Sequence, residues 1–246
     1  MRGAANMALD EALLERARDG DEGVVRIYSW ASPTLSLGRH QVALGAYDAT
    51  LARRSGVDVV RRPTGGRALY HHREITYSVT APVVPGESMR VAYDAINALL
   101  VDALCALGAE VTIAAESSRT PRPGITPCFE LPSRGELAYA GRKLVGSAQY
   151  REGGAYLQHG SILVEDDQGA LASLSRIPLG DIPPAATLRE AIGRSPDPAE
   201  LGAAVFDLVR RHWDAAATPL EVTPSVASRA DALRRRYEDD AWTWRR

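Results

Sequence analysis

Arg61-Arg62-Pro63-Thr64-Gly65-Gly66-Arg67 is a stretch of cations and glycines that follows directly after the apolar segment Val57–Val60. The pattern predicts a strand that ends in two arginines and then turns. Because glycine has no Cβ atom, a ligand can approach the backbone of such a turn closely. Unpaired N–H groups in the turn can bind an anion or a developing oxyanion. The competing interpretation is a tight turn with two solvated arginines, so other segments are needed to choose between them.

Apolar spacing predicts strands and helices on both sides of this turn. Strands are expected at Val24–Trp30, Thr34–Gly38, Val57–Arg61, Glu74–Thr80 and Val111–Ala115, followed by a meander at Glu136–Ala140, Lys143–Arg151 and Ala155–Glu165. Helices are expected at Asn6–Arg18, with Asn6 as the N-cap, at Met89–Leu107, and over most of the chain after residue 170. Strands followed by helices favour an α+β fold with a mainly antiparallel sheet flanked by helices. We expect one domain, residues 1–246, with a short helical C-terminal extension from about residue 220.

Composition argues against several classes of protein. The 246 residues contain 29 Lys and Arg against 31 Asp and Glu, which is not the balance of a general nucleic-acid binder or a polybasic membrane-surface protein. No apolar run approaches the roughly 20 residues of a membrane-spanning helix, and the sequence does not open with a secretion-signal pattern. Two cysteines do not make a disulfide framework. We therefore expect a cytoplasmic protein that binds neither nucleic acid nor membrane.

A second group of candidate residues lies in the predicted meander. Its middle strand carries Gly141–Gln149, which includes Lys143, the one lysine of the chain, and the next strand carries Gln158-His159-Gly160-Ser161. Small residues leave the surface open here, and the glutamine and histidine side chains offer polar groups along it. The structural alternative is a strand pair weakened by glycine that packs under a loop, with Lys143 as a solvated edge charge.

The two cysteines differ in their sequence surroundings. Cys105 lies among leucines of a predicted helix, so we expect it to be an inert core residue. Cys128 lies in the Pro-rich segment Ser117–Pro132, an expected surface loop. A nearby cation or base would turn its thiol into a nucleophile, and an incidental loop cysteine is the competing interpretation. His71-His72 and His159 do not have the spacing of a zinc site, so no metal site is predicted.

Four of these segments together carry a resemblance to a known family. They are Asn6–Glu11, Arg61–Arg67, Gly141–Gln149 and Gln158–Leu163. In this order they resemble the biotin/lipoate protein ligase superfamily, and within it the octanoyl-[acyl carrier protein]:protein octanoyltransferases that have a lipoate-ligase-like sequence. The resemblance covers nearly the whole chain. It implies the fold of a biotin/lipoate ligase catalytic domain, in which Pro127–Ser133 bears the acyl-accepting cysteine.

The resemblance implies a two-step acyl transfer. Octanoyl arrives as a thioester on the phosphopantetheine of acyl carrier protein and passes to the Cys128 thiolate. A lysine amine of a lipoyl domain then takes it up, in a protein such as the glycine cleavage H protein or an E2 subunit. Lys143 would polarise the acyl carbonyl and favour the thiolate. No cofactor is implied beyond the octanoyl-phosphopantetheine donor, and a monomer is expected. The implied substrate-binding residues are Arg61, Gly65, Gly66, Arg67, His71, Gly146, Ser147, His159 and Gly160.

Other activities fit the same resemblance. An ATP-dependent lipoate–protein ligase, with ATP and Mg²⁺, would use Arg61, the two glycines and Lys143 to hold an acyl-adenylate. Such ligases usually have a third glycine where this chain has Arg67. An amidotransferase would move octanoyl between lipoyl-bearing proteins through Cys128. A binding module without catalysis would make Cys128 and Lys143 coincidental.

Two further expectations concern charge. The family has His-Asp where this chain has His71-His72, so a role that needs a carboxylate at position 72 is in doubt. Arg53, Arg54, Arg61 and Arg62 are expected to form a basic region that steers the acidic carrier and lipoyl domains.

Overall fold

The computed structural model describes residues 1–114, 135–180 and 183–246 of the chain. The strands in these ranges are β1 (Val24–Tyr28), β2 (Thr34–Leu37), β3 (Asp58–Arg61), β4 (Leu69–His71), β5 (Glu74–Pro82), β6 (Thr112–Ile113), β7 (Leu137–Tyr139), β8 (Arg142–Glu152) and β9 (Ala155–Leu163). The helices in these ranges are α1 (Gly3–Asp19), α2 (Ala49–Arg54), α3 (Met89–Ala106), α4 (Ala170–Leu174), α5 (Leu188–Ile192), α6 (Pro198–His212), α7 (Pro224–Glu238) and α8 (Asp240–Thr243). None of these described helices is both long and apolar enough to cross a membrane.

The described strands form two sheets. The larger sheet has the order β1-β5-β9-β8-β7-β6, with antiparallel neighbours throughout its described strands. The smaller has the order β3-β2-β4, in which β2 runs parallel to β3 and antiparallel to β4. The predicted α+β class with a mainly antiparallel sheet is confirmed. The patterns do not predict the separate small sheet, the short strand β4, or α2, which lies in the crossover that a parallel pair requires.

Two tight turns set the register of β7, β8 and β9. Residues 140–141 have φ of 49° and 73°, and residues 153–154 have φ of 57° and 93°. Each pair is a two-residue loop between antiparallel strands, and positive φ at both positions is what a type I′ turn requires. The second turn pairs Ser147 with Gly160. The predicted meander is therefore confirmed, and it brings small residues of two strands to one place in the sheet.

One face of the large sheet packs against α3 and α6 to form the main core. α3 buries Ile96, Leu100 and Leu104, which recur at the helical spacing of three or four residues. Cys105 follows one residue later, a rotation of about 100° around the helix, and it is exposed. The prediction that Cys105 is a core residue is wrong, because its position lies outside the buried stripe.

The other face of the large sheet packs against α1. This helix begins at Gly3, where a Cβ atom would lie 2.9 Å from side-chain carbons of both Thr34 and Val60. Asn6 therefore lies inside the helix and is fully buried. Its Oδ1 accepts a hydrogen bond of 2.7 Å from Arg26 Nη2. The prediction of Asn6 as the N-cap is wrong, because its side chain joins α1 to β1 instead of capping the first turn.

The C-terminal helix α7 covers α1. The Tyr237 hydroxyl donates to Glu11 Oε2 at 2.7 Å, and Val226 packs with Leu9 and Leu13. The helix starts at Pro224, close to where the sequence predicts a helical extension. It therefore stabilises the helix that lies directly under the large sheet.

Candidate active site

A cavity lies between the two sheets, beside the N-terminal half of α1. Its empty volume, counted as all non-atom space up to and including the open mouth, is about 460 Å³. Residues from α1, β1, β2, β4, β5, β8 and β9 contribute to its described lining. The lining includes several of the predicted substrate-binding residues, namely Gly66, His71, Gly146, Ser147, His159 and Gly160.

Two glycines, which have no side chain, determine the shape of this cavity. A Cβ atom on Gly160 would lie 2.6 Å from the carbonyl oxygen of Gly146 and 2.6 Å from a ring carbon of Tyr77. At the end of β2, a Cβ atom on Gly38 would lie 2.0 Å from the carbonyl oxygen of Gly66. Only glycine allows so close an approach of backbone to backbone. The arginine–glycine turn (residues 61–67) therefore packs directly on β2 and forms one wall of the cavity.

Arg62 holds the arginine–glycine turn together. Its Nη2 donates to the carbonyl oxygens of Gly65 at 2.9 Å and Arg67 at 2.7 Å. Its Nη1 donates to the hydroxyl of Ser36 at 3.0 Å and to the carbonyl of the same residue at 3.2 Å. Arg62 therefore stabilises the turn and also places positive charge on the cavity wall.

Arg61 points away from the cavity and is fully buried. Its Nη1 donates to the carbonyl oxygens of Gly38 at 2.6 Å and Gln41 at 2.8 Å, and its Nε donates to that of Thr243 at 2.9 Å. Burial, together with neighbouring arginines, lowers the pKa of Arg61 to about 10, so the guanidinium stays charged at neutral pH. It links the loop after β2 to α8. The expectation that Arg61 and Arg62 form an exposed steering region is wrong, because both are buried.

A buried chain of hydrogen bonds supports the turn. His159 Nε2 lies 2.6 Å from Thr64 Oγ1, and its Nδ1 lies 3.5 Å from Asp10 Oδ2. Burial alone would raise the pKa of Asp10. The Arg26 guanidinium, 2.7 Å away, and hydrogen bonds from His159 and Ser78 outweigh burial and lower that pKa below its ordinary value.

Burial lowers the pKa of His159, although the carboxylate of Asp10 opposes this shift. At neutral pH the pair therefore consists of a carboxylate and a neutral imidazole. A proton on Nδ1 then faces the carboxylate, and Nε2 accepts from the hydroxyl of Thr64. The chain fixes the turn to β9 without placing a net charge on the imidazole.

A second chain of polar residues lies on the cavity wall. His71 Nε2 lies 2.7 Å from Ser36 Oγ, and His71 Nδ1 lies 2.7 Å from Glu74 Oε1. All three residues are at least 95% buried. The imidazole stacks on Trp30 with ring centroids 4.1 Å apart, and the indole Nε1 donates to Glu74 Oε1 at 3.1 Å. Trp30 thus fixes both the ring and its carboxylate partner.

A third polar group ties β5, β8 and β9 together around Gly160. The Tyr77 hydroxyl lies 2.7 Å from Ser147 Oγ and accepts a hydrogen bond of 2.9 Å from Gln158 Nε2. Burial raises the pKa of Tyr77 far above its ordinary value. The phenol therefore stays protonated at neutral pH and can donate to Ser147, which fixes the orientation of a hydroxyl on the cavity wall.

Lys143 lies on β8, three residues before Gly146 of the cavity. Its Nζ donates to Glu136 Oε1 at 2.8 Å, and the two side chains are 3% and 8% exposed. Burying both ions costs several kcal/mol each, so the pair depends on good geometry to persist. The interpretation of Lys143 as a solvated edge charge is therefore wrong. Its ammonium is held inside the protein, on the strand that lines the cavity.

His72 lies outside the cavity lining. Its Nδ1 is 3.2 Å from Asp167 Oδ2, and its side chain is 43% exposed. Asp167 also accepts a hydrogen bond of 3.3 Å from the backbone N–H of Arg73. A carboxylate is therefore present beside position 72, although position 72 itself is histidine.

The remaining predicted site residues are more widely distributed. Gly65 and Arg67 lie in the turn, and their carbonyl oxygens accept hydrogen bonds from Arg62. Cys128 lies outside the described residues. Within the described ranges, no group of three or more His, Cys, Asp or Glu side chains is arranged to hold a metal ion.

Asp10, Ser36 and Glu74 also belong to the site, and they were not among the predicted site residues. A carboxylate between the apolar residues of the first helix was a usable signal for Asp10, because a buried charge needs partners. Ser36 and Glu74 gave no such signal. Ser36 meets His71 because β2 pairs with β4, whereas Glu74 follows His71 by three residues, at the start of β5.

Comparison with known proteins places this fold and site in a family. The sequence model of the protein family described as lipoyl protein ligase A/B catalytic domain matches residues 2–207. The chain belongs to this family. The matched range contains every lining residue of the cavity. The predicted membership of the biotin/lipoate protein ligase superfamily is confirmed.

The chain is similar to other proteins in sequence and in structure, and these similarities cover nearly its whole length. Octanoyltransferase LipM of Geobacillus kaustophilus is 34% identical, with 99% of this chain and 94% of the relative covered. Octanoyltransferase LipM of Symbiobacterium thermophilum is 36% identical, with 99% and 95% covered. A bi-partite lipoate protein ligase from Thermoplasma acidophilum, described with its E2 lipoyl domain, has the same fold. Its TM-score is 0.75 at 21% identity, with 98% of this chain and 91% of that chain covered.

Proposed function

We propose that this protein is an octanoyltransferase of lipoate biosynthesis that uses acyl carrier protein as donor, a thioester on Cys128 as intermediate and a lysine of a lipoyl domain as acceptor. The enzyme class is supported by relatives named octanoyltransferase, at 34% and 36% identity over nearly the full length of both chains. The observation that carries the proposal within this chain is a buried cation, Lys143, on the strand that lines a partly apolar cavity.

The cavity supports an acyl chain as ligand. Its wall includes the side chains of Met7, Trp30, Leu69 and Ala148. An octanoyl group has six CH₂ groups, and at about 0.8 kcal/mol each their burial contributes about 5 kcal/mol before the cost of ordering the chain. Burial of this size favours the cavity as the binding site for the acyl chain.

Lys143 supports acyl transfer through charge. In the first half-reaction the Cys128 sulfur bonds to the thioester carbonyl carbon, and the phosphopantetheine thiol leaves with a proton. An ammonium near the carbonyl oxygen stabilises the tetrahedral oxyanion, an effect on the order of 10²–10³ in rate. In the second half-reaction the acceptor amine bonds to the same carbon, and the Cys128 thiol is released. Glu136 keeps the ammonium oriented through its hydrogen bond of 2.8 Å.

Two further features concern the partners. Arg67 stands where lipoate ligases usually have a third glycine, which favours transfer over adenylation. Arg53 and Arg54 are exposed at the end of α2, and they are the members of the expected basic region that can contact an acidic carrier domain. Membership of a lipoylation family supports a lipoyl domain as the acceptor.

Intact-mass analysis after incubation with octanoyl-acyl carrier protein tests the proposal. We expect a gain of one octanoyl group that neutral hydroxylamine removes, as it does for a thioester. This hydroxylamine-labile gain should disappear in Cys128→Ser. Cys105→Ser is the matched control: its thiol is on the surface and accessible to any acyl donor, and the adduct should persist without it.

A second incubation adds a lipoyl domain. Octanoylation of the domain without ATP, lost in Cys128→Ser, is the expected result. Lipoylation that requires ATP and survives Cys128→Ser would contradict the proposal and indicate a ligase. Transfer from an octanoylated lipoyl domain, but not from the carrier protein, would indicate an amidotransferase instead.

A further inference from the structure

A hydroxyl, an imidazole and a carboxylate form a continuous chain on the cavity wall, and the proposed transfer uses none of them chemically. Ser36 Oγ lies 2.7 Å from His71 Nε2, and His71 Nδ1 lies 2.7 Å from Glu74 Oε1. Both distances are within the range for a nucleophile, a base and a group that orients the base. Ser36 and His71 are part of the cavity lining.

Neighbouring donors determine the direction of the hydrogen bonds in this chain. Arg62 Nη1 donates to Ser36 Oγ at 3.0 Å, so the hydroxyl proton of Ser36 is directed to His71 Nε2. A neutral imidazole that accepts at Nε2 carries its proton on Nδ1, where Glu74 accepts it. Glu74 Oε1 also accepts from the hydroxyl of Ser161 at 3.0 Å. The imidazole is thereby held in the tautomer that removes a proton from Ser36, as in a serine–histidine–carboxylate triad.

Two other serines, Ser147 and Ser161, line the cavity without this arrangement. Ser161 Oγ lies 3.2 Å from His71 Nδ1, not Nε2, and its hydroxyl donates to Glu74. Ser147 Oγ lies 2.7 Å from the hydroxyl of Tyr77, a phenol whose pKa burial raises far above its ordinary value. A protonated phenol donates to the serine and does not act as its base. Ser36 is therefore distinguished from Ser147 by its partners and not by its position in the cavity.

We infer that Ser36 is a second nucleophile of the cavity, which takes an acyl group from an activated ester or thioester and releases it to water. Its Oγ bonds to the carbonyl carbon while its proton passes to His71 Nε2. A tetrahedral intermediate forms. The bond to the leaving group then breaks, and the leaving thiolate or alkoxide takes the proton from His71.

Hydrolysis of the Ser36 ester repeats these steps with water. Water gives a proton to His71 Nε2 and bonds to the acyl carbon, after which the bond to Ser36 Oγ breaks. The serine oxygen takes the proton back, and the free fatty acid leaves. Glu74 Oε1, 2.7 Å from His71 Nδ1, keeps the imidazole oriented throughout. The inference rests on the proposed function only for the choice of an eight-carbon acyl group.

The test uses the full chain with Cys128→Ala, which removes the thiol without adding a hydroxyl, and p-nitrophenyl octanoate as the probe. We expect a burst of p-nitrophenolate and one octanoyl adduct that resists neutral hydroxylamine and maps to Ser36. Adding Ser36→Ala should abolish both. Ser32→Ala is the matched control, because that hydroxyl bonds to the Asp58 carboxylate at 2.9 Å and to no imidazole; the adduct should persist.

Glu74→Gln provides an independent measurement that keeps Ser36 in place. An amide can donate to His71 Nδ1 and so favours the tautomer that cannot take the proton of Ser36. Acylation of Ser36 should therefore slow by at least roughly 10²-fold, with the variant shown to be folded by its melting curve. Absence of an adduct in Cys128→Ala, an adduct on another residue, or an unchanged rate in Glu74→Gln would each overturn the inference.

The two proposals fail separately. If the wild-type protein octanoylates a lipoyl domain but Cys128→Ala carries no ester on Ser36, the inference fails and the proposed function stands. If the Ser36 ester forms but the wild-type protein transfers nothing from acyl carrier protein, the proposed function fails and the inference stands.

Discussion

Gly160→Ala tests whether the shape of the cavity depends on the absence of a Cβ atom at position 160. The added Cβ would lie 2.6 Å from the carbonyl oxygen of Gly146 and 2.6 Å from a ring carbon of Tyr77. An ordinary close C···O contact is about 3.3–3.6 Å, so this one is short by about 0.7–1.0 Å. The oxygen belongs to the β8 backbone, which cannot withdraw without weakening its pairing with β9. We therefore expect an overpacking cost of about 1–3 kcal/mol.

The consequences are measurable in stability and in specificity. For a chain of this size, about 1–3 kcal/mol corresponds to a fall in Tm of about 2–12 °C. If the displaced wall removes room for one or two CH₂ groups, binding weakens by about 0.8–1.6 kcal/mol, or about 4–15-fold. The ratio of kcat/KM for octanoyl over hexanoyl thioesters should fall by this factor, because the shorter chain does not reach the lost space.

Gly169→Ala is the matched control for this substitution. Gly169 has φ of −55°, and nothing lies within 4 Å of the Cβ that alanine would add. Tm and the octanoyl-to-hexanoyl ratio should therefore stay at the wild-type values. A Gly160→Ala protein that melts like the wild type and keeps the same ratio would refute the steric reasoning.

Three further substitutions address the buried polar groups. The pKa of Asp10 is lowered in the folded protein, so its contribution to stability is complete above the unfolded-state value of 3.8 and disappears as the pH falls through the folded-state pKa. Urea unfolding between pH 7 and pH 3 should therefore show that Asp10→Asn is less stable than the wild type at pH 7. Its stability should also depend less steeply on acid than that of the wild type. Arg61→Met should reduce the free energy of unfolding by about 2–5 kcal/mol, because buried carbonyl oxygens lose their donor, while KM for the acyl donor stays unchanged; a raised KM at wild-type stability would instead show that Arg61 binds substrate. Tyr77→Phe should cost about 1–3 kcal/mol in urea unfolding, since Gln158 loses an acceptor inside the protein, and wild-type stability would show that this hydroxyl is not needed.

Features that depend on neighbouring residues in sequence were predictable. The turn at residues 153–154 follows from its two glycines, and it fixes the pairing of Ser147 with Gly160. For the preceding turn the sequence indicates residues 141–142, and the structure has it one residue earlier, at 140–141. Helix α3 was predictable for the same reason. Its boundaries followed from local pattern, but the side on which Cys105 lies depended on which face of the helix the sheet covers.

Features that depend on distant residues were not predictable. The contact between Ser36 and His71 needs β4 to pair with β2, and no local periodicity specifies that pairing. Asn6 illustrates the same limit: a polar residue before an apolar run is typical of an N-cap, but here a hydrogen bond of 2.7 Å from Arg26 of β1 places it inside the helix. In each case a tertiary hydrogen bond overrides a local preference.

The arginine–glycine turn shows how buried charge changes the interpretation of a cationic motif. Its arginines suggest an anion-binding site when only the sequence is considered. In the structure, Arg61 donates to the carbonyl oxygens of Gly38, Gln41 and Thr243, and Arg62 donates to those of Gly65 and Arg67.

A phosphate that recruited these guanidinium groups would have to replace those bonds and leave buried carbonyl oxygens without donors, at about 1–3 kcal/mol for each oxygen. An acyl chain in the cavity would replace none of them. The arginines therefore act chiefly on the protein itself, by shaping the wall of the cavity. For the proposed reaction, charge near the acyl carbonyl then comes from Lys143, whose ammonium is held on the neighbouring strand by Glu136.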